Sequence, residues 1–161
     1  MIKNSILICI TLLFISCDSN RVFDTYMSIP NHEWSSDNSI KFEVNAKDTI
    51  SKHNVFIQLR NTDEFEFSTL FIIGKIKFPN GTQVIDTLEY EMADVRGKWL
   101  GSGYTSVKEN KLFYKENIQF DQSGIYTFNL RQATRKMADV EGKKPLKGVS
   151  DVGLRIEKIL K

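Results

Sequence analysis

The chain has 161 residues, a net charge of +2, 41% hydrophobic residues and two cysteines. That charge is too balanced for a nucleic-acid binder or for strong attraction to an anionic surface. Two cysteines, one of them in the leader described next, exclude an internal disulfide framework, so stability must come from packing and backbone pairing.

The first seventeen residues read as a leader that is cut and lipidated. Lys3 supplies a positive start, and residues 6–15 form an apolar run broken only by Thr11. Ser16 then places a small residue directly before Cys17, which is the pattern of a bacterial lipoprotein signal. Phe14 is bulkier than the usual residue three before such a cysteine. The run is too short for a transmembrane helix, which needs about 20 apolar residues. Cys9 lies inside the leader, so cleavage leaves Cys17 as the one cysteine, and acylation accounts for a lone thiol in an exported protein. Cys17 is therefore expected to carry an S-diacylglycerol group and an N-acyl chain. Removing residues 1–16 leaves 145 residues with a net charge of +1. That is one domain with room for a real core. No second apolar run is long enough to span a membrane.

Residues 17–21 read as a short polar tether, and Val22 and Phe23 already carry structural character. From there strand signals follow one another. Residues 39–44 alternate polar and apolar, and 55–60 open as a denser apolar run. Residues 70–73 are continuously apolar and 75–78 alternate. Pro79-Asn80-Gly81-Thr82 is a hairpin turn, because Asn-Gly tolerates positive φ. Residues 83–92 return from it. Further strands are expected at 98–104, where Trp99 sits between glycines, and at 112–120, 124–131 and 149–159, with a turn at 121–124. Residues 130–140 hold the best helical pattern, but Gly142 and Pro145 soon interrupt it, so a loop is expected. Short strands separated by turns predict an all-β fold, an antiparallel β-sandwich of jelly-roll or immunoglobulin-like type. Residues 92–98 (MADVRGK) and 137–143 (MADVEGK) echo each other, but their flanks do not, so chance similarity is the simpler reading.

The residues offer little chemistry. His32 and His53 lack a second ligand at metal spacing, so no metal or other cofactor is expected. No nucleophile elbow or phosphate loop is present. Glu89 and Glu91 share one face of one strand, and Asp63, Glu64 and Glu66 read as a loop. A hydrolase would need two carboxyls held across a cleft. Trp34, Trp99, Tyr104, Tyr114 and Tyr126 offer rings for sugar stacking, but packing inside the domain is the simpler expectation. No small-molecule substrate and no enzymatic activity are expected.

Arg21-Val22-Phe23-Asp24 with Tyr26 follows the lipid cysteine, and Trp34 comes shortly after. Asp86-Thr87-Leu88-Glu89-Tyr90-Glu91-Met92-Ala93 leads into Gly97-Lys98-Trp99-Leu100-Gly101 and Gly103. Gln132-Ala133 and Arg135 precede Leu146, Gly148-Val149 and Asp151-Val152-Gly153-Leu154-Arg155-Ile156-Glu157-Lys158. Together these resemble the gliding-motility lipoprotein GldH family of Bacteroidota across nearly the whole mature chain. Residues 136–144 form a longer link than the family's usual one. The resemblance implies an outer-membrane-associated lipoprotein with a structural or assembly role in gliding, partnered by envelope proteins of the gliding and type IX secretion machinery. It carries over Cys17 alone as a functional position. Asp18-Ser19-Asn20-Arg21 lacks an acidic run resembling a surface-export signal, so a periplasm-facing domain is expected. Asp48-Thr49-Ile50 and Asp86-Thr87-Leu88 resemble the O-glycosylation triplet of these bacteria, which makes Thr49 and Thr87 candidates.

The resulting layout is a signal at 1–16, a lipidated tether at 17–21 and a β-sandwich at 22–161. Trp99, Tyr104 and Arg135, in the loops 97–104 and 135–148, are the candidate partner contacts. The competing expectation is a carbohydrate-binding surface lipoprotein, and a hydrolase is third.

Overall fold

A computed structural model describes residues 19–134 and 145–160. Cys17 and Arg135 lie outside the described residues. Ten strands follow in chain order: β1 (Arg21–Ser28), β2 (Glu33–Trp34), β3 (Ile40–Ala46), β4 (Lys52–Asn61), β5 (Thr69–Lys77), β6 (Gln83–Glu91), β7 (Lys108–Gln119), β8 (Gly124–Gln132), β9 (Leu146–Lys147) and β10 (Val149–Lys158). They form two four-stranded sheets of order β1-β10-β4-β7 and β3-β8-β5-β6, plus a β2-β9 ribbon, and every pairing is antiparallel.

The sandwich is a direct product of period-two patterning, since successive side chains on a strand point to opposite faces. In β3, Ile40, Phe42, Val44 and Ala46 are buried while Lys41, Glu43 and Asn45 are exposed. They meet Val55, Ile57 and Leu59 of β4 and Val152, Leu154 and Ile156 of β10 in one core, with Leu70, Ile72, Phe128 and Leu130. Each such side chain contributes about 1.5–3 kcal/mol by leaving water. The denser apolar run of β4 has a separate cause. β4 is central in its sheet, and its outer face is covered as well: Phe56 packs 4.5 Å from the Phe113 ring and under the Lys111 ammonium.

The two side seams are closed differently. Phe23 of β1 meets Phe42 of β3 edge to face at 6.5 Å. On the other side, the Tyr90 hydroxyl of β6 donates to the Phe113 carbonyl of β7 at 2.7 Å. Asp86 there accepts from Lys115 at 2.9 Å and from the Tyr114 hydroxyl at 3.3 Å. Gly74 makes room for that tyrosine, because a Cβ at this position would lie 2.6 Å from the Tyr114 hydroxyl. Gly74→Ala is therefore expected to cost about 1–3 kcal/mol, the usual range for overpacking. Tyr114→Phe in the same background recovers part of the loss. A denaturant midpoint unchanged by Gly74→Ala would mean that the ring is free to move.

The apolar run 70–73 and the alternation after it fall in one strand, β5, with Phe78 just beyond its end. One sequence expectation is revised. Residues 98–104 are not a strand. Their ladder pairing is confined to the isolated bridges Ala93–Trp99 and Ser102–Glu109. The strand expected at 124–131 is β8, which runs one residue further, to Gln132. The second copy of the 92–98 echo lies outside the described residues. The first is a turn in which Asp94 accepts backbone bonds from Arg96 and Lys98, and those bonds, the Lys98 one first, hold its carboxyl below its usual value.

Candidate functional site

Register divides the sandwich into two ends. Arg21 pairs with Glu157, Lys158 with His53, and Lys52 with Gln119, so the start of β1 shares an end with the 47–51 loop, the 78–82 turn, the 120–123 turn and the C-terminus. Ser28, Asn61, Lys108 and Gln132 end their strands at the opposite pole, with the β2-β9 ribbon and the long loops. The ten residues of β10 set the two poles about 30 Å apart, at roughly 3.3 Å per residue.

The first strand of the sandwich, β1, is held by a built polar face. Asp24 of β1 pairs with Arg155 of β10, whose guanidinium also meets Glu157, and Glu157 receives Lys111 of β7 at 2.7 Å. Burial pushes the Glu157 carboxyl up, but hydrogen bonds from Lys111 and Arg155 outweigh it and hold it below its usual value. One row further, the Tyr26 hydroxyl donates to Glu109 at 2.8 Å while the Arg60 guanidinium lies 4.0 Å above its ring. Burial, then Glu109, pushes the Tyr26 hydroxyl well above its ordinary range. Gly153 lets the ring lie flat across β10, since a Cβ there would sit 2.9 Å from Tyr26. Gly153 and Arg155 of the C-terminal Asp-Val-Gly-Leu-Arg segment thus clamp β1 to the rest of the domain.

At the tether end His53 is 1% exposed, with Nδ1 unpartnered and its ring 5.2 Å from Phe120. Burial lowers its pKa below 6.5, against the pull of Asp48 and with Lys158 adding to it. The unfolded chain therefore takes up this proton first. Its contribution to stability is full above about pH 6.5 and is lost as pH falls toward the lower folded value. His53→Gln is expected to flatten stability against pH in that window, measured by urea unfolding in a pH series. An unchanged slope would place the titrating group elsewhere. Asp48, held below its ordinary value first by Lys158 and then by the Ser51 backbone, loses its contribution only in stronger acid.

The distal end carries the contact candidates. Trp99 is half-buried and meets Phe65 edge to face at 5.8 Å. Tyr104 is fully exposed, and Val95 and Leu100 on the same 92–104 segment are exposed with it. Lys108 steadies the segment by donating to the Gly103 and Thr105 carbonyls. The chain leaves the described residues after Thr134 and re-enters at Pro145, both at this pole. Leu100 lies within the 97–104 loop expected to make contacts, and Val95 lies just before it.

Other candidates do not converge. Trp34, Tyr114 and Tyr126 are buried, so three of the five rings proposed for sugar stacking pack inside. Thr49 is half-buried in the 47–51 turn at the tether end, whereas Thr87 is exposed in the middle of β6. A cavity of about 260 Å³ opens where β6 and β7 part, lined by Ile76, Phe78, Val84, Ile118, Phe120 and Phe128, with Lys115 and Asp121 among its polar groups. Asp121 is the one carboxylate in that lining, so no carboxyl pair spans it. Among the described residues no three His, Cys, Asp or Glu side chains gather as metal ligands.

Comparison with known proteins places this geometry. A family model described as GldH lipoprotein matches residues 21–156, from the first residue of β1 to within two residues of the end of β10. A gliding motility lipoprotein GldH homolog of Christiangramia forsetii is 49% identical over 147 residues, covering 91% of this chain and 90% of the relative. Gliding motility lipoprotein GldH of Flavobacterium johnsoniae is 41% identical over 157 residues, covering 97% of each. Among solved structures, a chain of infectious bursal disease virus aligns over 88% of this chain and 32% of its own, at 16% identity and a TM-score of 0.40, which carries no functional weight.

Proposed function

This chain belongs to the GldH lipoprotein family, and from that premise we propose that it is a non-catalytic assembly component of the gliding machinery, held at the outer membrane by lipid on Cys17 with its domain facing the periplasm. In this reading residues 1–16 are removed, and the tether expected at 17–21 ends one residue earlier, because Arg21 is already paired in β1. The observation that carries it is the family match across the whole sandwich, between relatives named for gliding motility.

The two poles give the reading a mechanism. Two or more acyl chains on one cysteine hold a protein at a membrane stably, where a single chain does not. Confinement to the membrane raises the effective concentration of the domain near envelope partners. The distal loops, with Trp99 and Tyr104 about 30 Å away by strand length, face outward to meet gliding and secretion proteins.

The test is deletion and complementation in the native host, with crosslinked co-purification from its membranes. Wild type is expected to restore surface movement and to capture motility or secretion proteins. Cys17→Ala is expected to fold, to leave the membrane fraction and to lose both. A deletion strain that moves normally would overturn the gliding assignment, and equal capture by Cys17→Ala would overturn the anchoring mechanism.

A further inference from the structure

The tether end has a surface that its strand chemistry does not require. Beside the start of β1, Val22 at 50% exposure, Ile50 at 85%, Ile159 at 38% and Leu160 at 58% stand in solvent, and Val84, Ile85 and Ile125 are exposed further along the same end. Backbone pairing brings the segments that carry them to one end. The Lys158 N–H donates to the Asn20 carbonyl, and the Ile159 N–H donates to the Lys52 carbonyl, so the C-terminal residues run between the tether and the 47–51 loop.

Ile50 is presented by a braced turn and not by a slack one. The Asp48 carboxylate accepts from the Ile50 and Ser51 N–H groups, and the same carboxylate receives Lys158. Gln119 donates to the Thr49 carbonyl from the other side at 2.7 Å. With its neighbours tied down, the side chain at the tip has only the outward direction. Arg21, Lys47 and Lys52 are exposed around Val22, Ile50, Ile159 and Leu160.

Tether length decides what lies opposite this surface. Cys17 is four residues before Arg21, and a residue spans at most about 3.6 Å, so the lipid attachment point lies within roughly 14 Å of the start of β1. Apolar side chains beside a short lipid tether, rimmed by lysine and arginine, match the chemistry of an interfacial contact: hydrocarbon below, anionic headgroups around.

We propose that the tether end of the sandwich, through Val22, Ile50, Ile159 and Leu160, sits in the bilayer interface beside the lipid on Cys17. The domain then stands upright, with Trp99 and Tyr104 directed away from the membrane instead of swinging on a free hinge. The proposal rests on the reading of Cys17 as the lipid site.

The test uses the full lipidated protein reconstituted into phosphatidylethanolamine–phosphatidylglycerol vesicles. Once Cys9 has been removed with the leader and Cys17 is acylated, an introduced cysteine is the only free thiol. Ile50→Cys and, as a distal control, Val95→Cys are each labelled with the fluorophore NBD, and quenching by spin-labelled lipids is read. Quenching at residue 50 several-fold above that at residue 95, with a blue-shifted emission, supports the contact. Equal, weak quenching at both sites, in protein whose mass shows the lipid, overturns it while leaving the anchor intact. Protein that lacks the lipid mass and does not float with vesicles overturns the anchor reading and the contact with it. Adding Leu160→Asp or Ile159→Asp to the Ile50→Cys protein is expected to lower its quenching without changing flotation. Unchanged quenching in both variants counts against the surface as drawn.

Discussion

Trp34→Ala lowers the unfolding free energy by about 3–5 kcal/mol, the range for deleting a fully buried tryptophan. Trp34 is 0% exposed. Its indole N–H donates to the Asn38 carbonyl at 3.0 Å, and its strand residue pairs with Leu146 across the β2-β9 ribbon. The Gln132 amide donates to its carbonyl from the end of β8. Truncation opens a cavity at the distal pole and weakens the contact that ties the segment re-entering at Pro145 to the body. For a domain of this size the loss corresponds to a fall in Tm of roughly 10–20 °C. The measurement is paired thermal and urea unfolding. Fluorescence supplies an internal check, because only two tryptophans exist and the survivor, Trp99, is half-buried. The folded variant should emit to the red of wild type. Trp34→Phe should recover much of the stability, since it restores most of the volume but not the indole donor. A loss below about 1 kcal/mol would mean that the ribbon closes over the vacancy.

Gly148→Ala is expected to be of similar size, for a backbone reason. Gly148 joins β9 to β10 with φ +77°, a conformation that an L side chain adopts only at a cost. Space forbids it as well: a Cβ would stand 2.3 Å from the Phe65 nitrogen and 2.7 Å from the Glu64 carbonyl carbon. Those are backbone atoms, so no side chain can rotate away. The same crossing carries a hydrogen bond, because the Thr62 N–H donates to the Gly148 carbonyl at 2.8 Å. Left-handed strain and a backbone clash together cost about 3–5 kcal/mol. Urea unfolding measures the loss, and amide exchange locates it. Protection should fall at Thr62 and through the 62–65 turn while the centre of β4 stays protected. Uniform loss of protection would show that the crossing is not a local unit. By contrast Gly81, also at positive φ, has open space around it, so Gly81→Ala carries the φ cost without the clash.

The strands were legible because their message is local. Alternation in β3 and the Asn-Gly turn between β5 and β6 depend on residues next to one another in the chain. The sandwich follows once such strands must each bury one face. The segment 98–104 was misread because apolar content resembles a strand, whereas pairing needs a partner edge, and here it is confined to isolated bridges. The crowding at Gly148 was not legible at all, because its neighbours Glu64 and Phe65 lie more than 80 positions away in the chain.

What the sequence by itself determined was therefore the fold class and, by resemblance, the family to which the chain belongs. Tertiary structure alone decided the polarity of the molecule. Antiparallel register brings residues 21, 52, 119 and 158 to one pole and sends the 92–104 loop to the other. It also decided which aromatic rings are available. Trp34 and Tyr104 look alike as apolar letters, yet one is sealed in the core and the other stands in solvent. Burial depends on what a folded chain places above a residue, and nothing within a few positions along the chain encodes that.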